Sequence, residues 1–529
     1  MNKNNIPLNY KEKNNSKISF FCSIAVLLIL FLLFNRLDYT LIQKPKKEAQ
    51  EAAALAKKEA KEKAKTPEIS TASVIAVGDN LYHTSLLETG QSDSGEWNYD
   101  KIYQNVLDEV QAADVALIDQ ETVLTNDHSA ISSYPSFATP TEVGDAIIKA
   151  GFDVIESATN HIDDYGYDYM AQTFEFWRTK YPTVPVLGIH ETQEDADSIK
   201  TMEVNGITIA FLDYTYGTNN SGAGEGNEFM IDIFDKNQIA SRIQKAKEIS
   251  DCIIFVAHWG AEDETMPNEY EKQWAAFLME QGVDVVIGGH PHVLQPYGRM
   301  SDDKGNNMLI YYSLGNFVSA QQELTELLGG MAKFTIQKTV LNGETTVEIL
   351  TPEVKPLVMH YNHDSGDYTV YMLEDYTEEL ASSHSVRDLI GEEFTLANLQ
   401  SKFAEIMYMN VKPSTNTNLL NVKFDWEGNM IDKTTGDIVE DTDSIHSWEY
   451  YEQLNATDET TSEDTGSSED TSYDDGSYDE SYDESYDDGS YDESYDESYD
   501  ESSYDESYDE SYDESYDESY DESYDESYE

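Results

Sequence analysis

The chain has 529 residues, a formal net charge of −71 at pH 7 and 39% hydrophobic residues. Its length exceeds that of one domain, and its acidity excludes nucleic acid as a partner, because phosphates are neutralised by clustered Lys and Arg. Cations are the natural partners of such a chain. The two cysteines, Cys22 and Cys252, both lie in apolar segments and predict no disulfide.

The amino-terminal region predicts a membrane anchor. A basic head (1–17) precedes an uncharged apolar segment, and residues 18–37 supply the roughly 20 residues that a spanning helix needs. A cleaved signal peptide is the alternative, but the apolar run exceeds the usual length of about 7–15 residues and no small-x-small site follows closely. We therefore predict a single-pass protein of the cell membrane, with the head in the cytoplasm and the main domain extracytoplasmic.

Two further segments have compositions that cannot supply a catalytic core. Residues 38–69 are rich in Ala, Glu and Lys, which predicts a charged helical linker, with a floppy linker as the alternative. Residues 457–529 repeat Ser-Tyr-Asp-Glu without any Lys or Arg, which predicts a disordered tail. The tail is either a solvated extension or a weak multivalent binder of Ca²⁺, Mg²⁺ or a cationic wall component.

Between residues 70 and 358, β-branched apolar runs alternate with helical patterns, and this alternation predicts an α/β (layered α+β) domain with a central sheet flanked by helices. A hairpin is expected around Asn342-Gly343. Residues 359–456 are predicted to form a C-terminal subdomain with a strand at 368–373 and a helix at 385–407. Predicted helices in the main domain cover 100–112, 143–150, 167–181, 236–249 and 270–281. Predicted strands cover 73–78, 115–118, 153–159, 184–189, 207–214, 252–257, 283–288 and 308–313, with the hairpin strands at 331–339 and 345–350.

Polar side chains follow several of the predicted strands. Because the carboxyl ends of parallel strands converge on one crevice, these side chains are expected to meet there. Oxygen and imidazole donors without thiolate suit Mn, Fe, Zn or Mg, and a carboxylate such as Glu121 can bridge two ions. The side chains in question are Asp79, Glu121, Asn160, His161, His258, His290 and His292.

Each of these residues also has an ordinary structural explanation. Asp79 fits a turn or helix cap, Asn160 fits an Asx turn, and His258 fits a core histidine. His83 lies further from its strand than the others, so a ligand role and a structural role are equally open. The joint placement after successive strands favours a metal site.

Six motifs in this order resemble the capsule-synthesis CapA/PgsA family, which is tied to poly-γ-glutamate production and related to the calcineurin-like metallophosphoesterases. The resemblance covers about residues 70 to 358. The motifs are Gly78-Asp79, Asp119-Gln120-Glu121-Thr122, Asn160-His161 with Asp164 and Gly166, His258-Trp259-Gly260 with Glu262, Gly289-His290-Pro291-His292-Val293-Leu294-Gln295, and Tyr312-Ser313-Leu314-Gly315-Asn316-Phe317.

This resemblance implies a site that holds two divalent ions and a catalytic acid, His161. The chain departs from the phosphoesterase pattern in its first motif, where Asp79-Asn80-Leu81 replaces Asp-x-His, so His83 is the substitute ligand to consider. Glu121 stands where phosphoesterases carry Asp, and Asp119 stands where the capsule family commonly carries Asn. The implied metal ligands are Asp79, Glu121, Asn160, His258, His290 and His292. Supporting or substrate-binding residues are His83, Asp164, Trp259, Glu262, Gln295 and Asn316.

The resemblance implies a membrane-anchored protein of capsule-polymer biosynthesis or export with a hydrolase-like metal site. Its expected partners are the membrane, an anionic polymer or phosphoester substrate, and membrane synthase subunits. One alternative is a non-catalytic scaffold that assembles the synthase or binds the polymer. Another is a surface interaction protein that works through its acidic tail.

Overall fold

The computed structural model describes residues 12–408, apart from residues 64, 93, 221, 225 and 303, and four short strand segments beyond them. The side chains of residues 12–19 and 59–63 are not described. The predictions made for residues 1–11 and for the tail at 457–529 lie outside the described residues. The four segments are β16 (Val411–Lys412), β17 (Val422–Phe424), β18 (Met430–Asp432) and β19 (Ile445–His446).

The amino-terminal helix is apolar and exposed. Helix α1 (Glu12–Asp38) continues through a π-helical turn (Tyr39–Gln43) into α2 (Lys44–Lys63). Side chains such as Leu27 and Phe31 are more than half exposed, and this is the one helix in the described ranges that is long and apolar enough to cross a membrane. It agrees with the predicted anchor, and α2 shows that the charged linker is helical.

The first of two large sheets has seven strands. They are β1 (Glu68–Asn80), β2 (Val115–Asp119), β5 (Val154–Glu156), β12 (Asn316–Val318), β13 (Leu328–Leu341), β14 (Glu344–Asn362) and β15 (Asp367–Met372). Their order is β15-β14-β13-β1-β2-β5, with β12 also pairing with β1. Parallel pairing joins β1 to β2 and β2 to β5. On the other side of β1, the strands β13, β14 and β15 extend the sheet by antiparallel pairing.

The second sheet has six strands. They are β6 (Lys200–Val204), β7 (Ile207–Thr215), β8 (Cys252–His258), β9 (Val285–Gly289), β10 (Tyr297–Ser301) and β11 (Asn307–Tyr311). Their order is β10-β11-β9-β8-β7-β6, and the centre is parallel while the two edge strands are antiparallel. A separate small pair consists of β3 (Leu124–Thr125) and β4 (Thr139–Pro140).

One hydrophobic core contains residues of both sheets, among them Val77, Leu117, Ile254 and Ile287. A second core joins helix residues such as Ile239 and Leu278 to the second sheet. Helices therefore flank sheets that share a core, and the predicted α/β class is confirmed. The helices are α3 (Thr84–Thr89), α4 (Leu107–Ala112), α5 (Thr141–Ala150), α6 (Tyr167–Lys180), α7 (Gln193–Asp197), α8 (Lys236–Ile249), α9 (Glu269–Gln281), α10 (Glu378–Ser383), α11 (Arg387–Ile390) and α12 (Leu396–Tyr408).

Some predicted elements differ from the structure. The predicted helix at 100–112 is a 3₁₀ turn followed by the short α4, and the predicted strand at 184–189 makes only isolated bridges, because Pro185 has no N–H for a ladder. The predicted helix at 385–407 is interrupted at Gly391, whose φ is 70°. The boundary expected at residue 358 falls inside β14, which continues to Asn362; the division of the chain into domains stays a prediction.

Candidate metal centre

Four parallel strands from the two sheets end at the same place. Asp79 and Asp119 are register partners at the ends of β1 and β2, and His258 and Gly289 are register partners at the ends of β8 and β9. Gly289 lies against the carboxylates of the first pair, since a Cβ placed on it would be 2.8 Å from Asp79 Oδ1 and 3.1 Å from Asp119 Oδ2. The carboxylates of one sheet therefore face the histidines of the other.

Donor atoms at this junction lie close enough to share metal ions. Within the described part of the chain, three groups have donor atoms that all lie within 4.8 Å of one another. Two of the groups share Asp79, and two share His292, so the three form one continuous cluster. The groups are Asp79, Glu121 and His292; Asp79, Asp119 and His258; and Glu262, His290 and His292.

Asp79 organises the loop that carries two of the histidines. Its Oδ1 accepts a hydrogen bond from the backbone N–H of His290 at 3.2 Å, and its Oδ2 lies 3.0 Å from His292 Nδ1. Asn316 Oδ1 lies 3.1 Å from the same Nδ1, and the Asn316 amide donates to Gln321 Oε1 and the Glu326 carbonyl. Asn316 therefore supports the orientation of the His292 ring.

His258 connects the predicted ligands on the other side of the cluster. Its Nδ1 lies 3.2 Å from Asp119 Oδ2, and its Nε2 lies 2.8 Å from Asn160 Oδ1. Glu121 Oε1 is 3.8 Å from this same Nε2 and 3.9 Å from His292 Nε2. Glu121 thus lies between the two imidazoles, as a bridging carboxylate must.

Several buried donor atoms in the cluster have no hydrogen-bond partner among the described residues. These are both carboxylate oxygens of Glu121, Asp119 Oδ1 and His290 Nδ1. Buried polar atoms are nearly always paired, because an unsatisfied one costs about 1–3 kcal/mol. The ion pairs of the described Asp79, Asp119 and Glu121 are all with histidine. These unpaired oxygen and nitrogen donors fit divalent cations.

The electrostatics of the cluster favour the neutral, metal-binding form of two histidines and the protonated form of a third. Burial, and then the neighbouring histidines, keep the pKa values of His258 and His290 well below the usual value, so both rings are neutral. Burial raises the pKa of Glu121 to about 7, and the charge of Asp79 adds to this. For His292, burial lowers the pKa, but Glu121 and Asp79 outweigh burial and raise it to about 10. Excess negative charge therefore draws a proton onto His292, and a cation can take that proton's place.

His161 lies beside the cluster in an arrangement suited to proton transfer. Its Nδ1 is 2.7 Å from Asp164 Oδ2, and the same oxygen accepts the backbone N–H of Phe137 at 2.7 Å. The Phe137 ring contacts the imidazole edge-on, with centroids 4.7 Å apart. Burial lowers the pKa of His161, but the hydrogen bond to Asp164 and the charge of Glu121 raise it above its usual value.

The loop after β9 has an unusual backbone. His290 has a φ of 94° and His292 a φ of 59°, although non-glycine residues rarely occupy this left-handed region. Such strain persists only where the surroundings impose it, and it concentrates at functional sites. Gly289 has to be glycine because the Asp79 and Asp119 carboxylates occupy the space of a side chain.

The remaining predicted residues divide into two groups. Glu262 joins His290 and His292 in one donor group. The pKa of His83 is lowered to about 4, chiefly by burial and also by the nearby His292 and His161. Trp259 is buried and donates to the Tyr312 carbonyl, and Gln295 donates to the Glu264 carbonyl. Trp259 and Gln295 therefore make structural contacts and belong to none of the three donor groups.

Three residues outside the predicted set take part in the site. Asp119 has no predicted ligand role, yet it belongs to a donor group; its position directly after the predicted strand at 115–118 is the signal that could have identified it. Asn219 Nδ2 lies 3.3 Å from His161 Nδ1, and its backbone N–H donates to the Asn160 carbonyl. Asp213 accepts the backbone N–H groups of Ser157 and Ala158 and so fixes the loop before Asn160. No sequence pattern distinguishes Asn219.

Residues 73–321 match the family of bacterial capsule synthesis protein PGA_cap. The PGA biosynthesis protein CapA of Bacillus subtilis (strain 168) is 34% identical over 172 residues, which are 32% of this chain and 43% of that protein. The chain spans less than half the length of the curated relatives it matches. The resemblance to the capsule-synthesis family is confirmed.

Solved structures similar to this chain include a nucleotidase and a phosphoesterase. One is a 5′-nucleotidase precursor from Thermus thermophilus, 12% identical with a TM-score of 0.34, where the match covers 55% of this chain and 54% of the nucleotidase. The other is the calcineurin-like phosphoesterase YfkN from Bacillus subtilis, 14% identical with a TM-score of 0.31, where the match covers 54% of this chain and 91% of the phosphoesterase.

Proposed function

We propose that this chain, whose residues 73–321 match the bacterial capsule synthesis family, is a membrane-anchored, extracytoplasmic protein that uses a two-cation centre in the synthesis or export of a poly-γ-glutamate-type capsule polymer. Its reaction is hydrolysis, at the cation centre, of a phosphoester or of an amide bond in the anionic polymer. The observation that carries this proposal is the position of Glu121, whose two buried oxygens have no hydrogen-bond partner among the described residues and whose Oε1 lies 3.8 Å from His258 Nε2 and 3.9 Å from His292 Nε2.

Two of the donor groups share Asp79, and they would hold two cations, one with Glu121 and His292 and the other with Asp119 and His258. Glu121 Oε1 lies within 4 Å of both His258 and His292, and Asn160 faces His258 Nε2 at 2.8 Å. Oxygen and imidazole donors of this kind suit Mn, Fe, Zn or Mg. When bound, two such cations supply Lewis acidity to the attacking and leaving oxygens of a displacement.

His161 is the residue that protonates the leaving group in this proposal. Asp164 holds the Nδ1 side of the ring at 2.7 Å, which leaves Nε2 as the atom that transfers the proton. The raised pKa of His161, which Asp164 and Glu121 maintain against burial, keeps the acid form populated. Phe137 orients both partners, since its N–H binds Asp164 and its ring contacts the imidazole.

Membrane placement and partners follow from the amino-terminal helix and from the family. In this proposal the exposed apolar helix at the amino terminus anchors the protein, and α2, about 30 Å long at 1.5 Å per residue, spaces the following domain from the bilayer. The PGA biosynthesis protein CapA, which this chain resembles over part of its length, points to a capsule polymer. Membrane synthase subunits are the expected partners.

Elemental analysis tests the cation centre directly. The purified full chain is expected to contain about two equivalents of a transition metal or Mg²⁺, and the double variant with His290→Ala and His292→Ala is expected to contain less than half an equivalent. The control is His128→Ala, because His128 is a partly exposed histidine that pairs with Glu142 outside the cluster. Equal metal content in all three proteins would refute the centre.

Replacement of His161 separates catalysis from assembly. With a dialkyl phosphate, whose alkoxide leaving group needs a proton, and short poly-γ-glutamate as probes, His161→Ala is expected to retain its metal and to lose about 10²–10⁴-fold in turnover. A protein that binds metal but turns over neither probe, and whose His161→Ala variant still supports capsule formation, is a non-catalytic scaffold. That outcome would remove hydrolysis from the proposal and leave the cation site intact.

A further inference from the structure

The segment at residues 216–220, directly after β7, crosses over to the loop that carries two residues of the site. The backbone N–H of Asn219 donates to the Asn160 carbonyl at 2.9 Å, and the Thr218 hydroxyl donates to Asp163 Oδ2 at 3.2 Å. These bonds hold the segment against the loop at two points. The backbone of Asn219 therefore has a defined position, although the residue is exposed to solvent.

The Asn160 side chain needs one particular orientation to serve as a ligand. Only the oxygen of a carboxamide can coordinate a cation, because the nitrogen is a donor of two hydrogens and not an acceptor. Asn160 Oδ1 lies 2.8 Å from Nε2 of the proposed ligand His258, so the oxygen faces the cation centre. The two ends of the amide are nearly equal in shape, and packing alone therefore does not select this orientation.

Asn219 supplies the contact that distinguishes the two ends of the Asn160 amide. Asn160 Nδ2 donates to Asn219 Oδ1 at 3.5 Å. This bond is long, but it favours one orientation, since a reversed Asn160 amide would bring two oxygens together. Asn160 is only 1% exposed, so water has little access to replace the bond. Among the described residues, Asn219 is the one acceptor for this amide nitrogen.

The nitrogen end of the Asn219 side chain faces the proposed acid. Asn219 Nδ2 lies 3.3 Å from His161 Nδ1, and Asp164 Oδ2 lies 2.7 Å from the same ring atom. Asn219 thus contacts a proposed ligand through its oxygen and the proposed acid through its nitrogen. A reversed Asn219 amide would lose the bond from Asn160, so the two contacts depend on each other.

From these contacts we propose that Asn219 is a positioning residue, which holds the Asn160 oxygen toward the cation centre and keeps this ligand at a fixed spacing from His161. This role rests on the proposed function, because it requires Asn160 to be a ligand. Asn219 itself binds neither a cation nor the reacting atoms, and it acts through Asn160. Residues that only orient metal ligands contribute about 10–100-fold to metal affinity, and an effect of this size is expected here.

Calorimetric titration of the metal-free full-length protein with Mn²⁺ tests this role. Asn219→Ala is expected to weaken Mn²⁺ binding about tenfold or more, and Asn219→Asp, which keeps an acceptor oxygen, is expected to restore the affinity. Asn220→Ala and Asn220→Asp are the matched controls, since Asn220 lies in the same segment but its side chain donates to the Asp163 carbonyl. Both controls should bind Mn²⁺ as the unaltered chain does, which excludes a general disturbance of the segment and a simple effect of added charge.

A double variant tests whether Asn219 acts through Asn160. Once Asn160→Ala has removed the ligand, the addition of Asn219→Ala should weaken Mn²⁺ binding by about twofold at most. Additive losses would overturn the proposal, as would unchanged Mn²⁺ affinity in Asn219→Ala or an equal loss in Asn220→Ala. If Asn160→Ala binds no Mn²⁺ at all, failure of Asn219→Asp to restore the affinity lost in Asn219→Ala would overturn it instead. No Mn²⁺ binding by the unaltered chain is a different result, which would refute the cation centre itself.

Discussion

The protein contains two groups of buried histidines that look alike by burial and differ in their partners. His258 and His290 in the proposed cation centre, and His360 in β14 and His384 at the end of α10, are all buried, and burial is the first cause of a lowered pKa in each. In the second group the hydrogen-bond partners are uncharged groups. His360 Nδ1 lies 2.8 Å from the Tyr376 hydroxyl, and His384 accepts the Val386 N–H through Nδ1 and faces the Met359 carbonyl through Nε2.

The cation centre differs because its acceptors exceed its donors. Glu121 and Asp119 retain buried oxygens without partners in the described ranges, whereas the described atoms around His360 and His384 leave no such oxygen. A lowered histidine pKa therefore reflects burial in both groups and does not distinguish them. The unpaired oxygens of Glu121 and Asp119, which lie beside His258 and His292, are the difference between the two groups, and cations would satisfy them.

The largest effect is expected for Glu121→Gln, which removes the carboxylate charge that faces both His258 and His292. This charge distinguishes the cation centre from the second histidine group. We expect Mn²⁺ affinity to fall about 100-fold or more, because even residues that only support metal ligands contribute about 10–100-fold. Calorimetric titration measures this. Glu156→Gln is the matched control, since Glu156 is buried at the end of β5 but belongs to no donor group among the described residues. Equal losses in both variants would contradict the bridging role.

A second prediction concerns His384, in the histidine group that has no unpaired oxygens. His384→Ala is expected to lower the free energy of unfolding by about 2–4 kcal/mol, through a cavity and two lost hydrogen bonds. Its metal content should remain that of the unaltered protein. Urea denaturation and elemental analysis of the same sample give both values, and a loss of metal without a loss of stability would reverse the assignment of the two groups.

The smallest effect concerns the pH dependence of stability. Burial lowers the pKa of His360 to about 4 and that of His384 to about 3, so below about pH 6.5 the unfolded chain binds protons that the folded chain does not. Stability from these residues is present above that pH and is lost as the pH falls. His384→Gln should make the decline shallower by about 1.4 kcal/mol per pH unit between pH 6 and 4, as unfolding at several pH values would show. Parallel profiles for the two proteins would contradict this.

The sequence predicted those parts of the fold where local patterns are strong. Helix α8 was predicted with its observed bounds, and the hairpin between β13 and β14 turns at Asn342-Gly343, where both residues have positive φ. The strand ends carried most of the donors, because parallel strands bring their carboxyl ends together. The same rule would have identified Asp119, which directly follows the predicted strand at 115–118.

Other features depend on distant parts of the chain and have no local signal. The separation of the strands into two sheets is set by packing between strands far apart in sequence. The segment at 184–189 has the composition of a strand, yet Pro185 limits it to bridges with Ile155 and Ile231. Asn219 reaches His161 from a glycine-rich loop, and no pattern of residues in that loop indicates where it lies.

The backbone at His290 and His292 also affects how the protein matures. Both residues hold conformations that their own side chains disfavour, and the hydrogen bonds to Asp79 are the local contacts that support them. Cations bound to the same side chains would strengthen that support, so loop formation and cation loading reinforce each other. We therefore expect this loop to become rigid only when ions are captured, which makes ion supply a step in producing the ordered site.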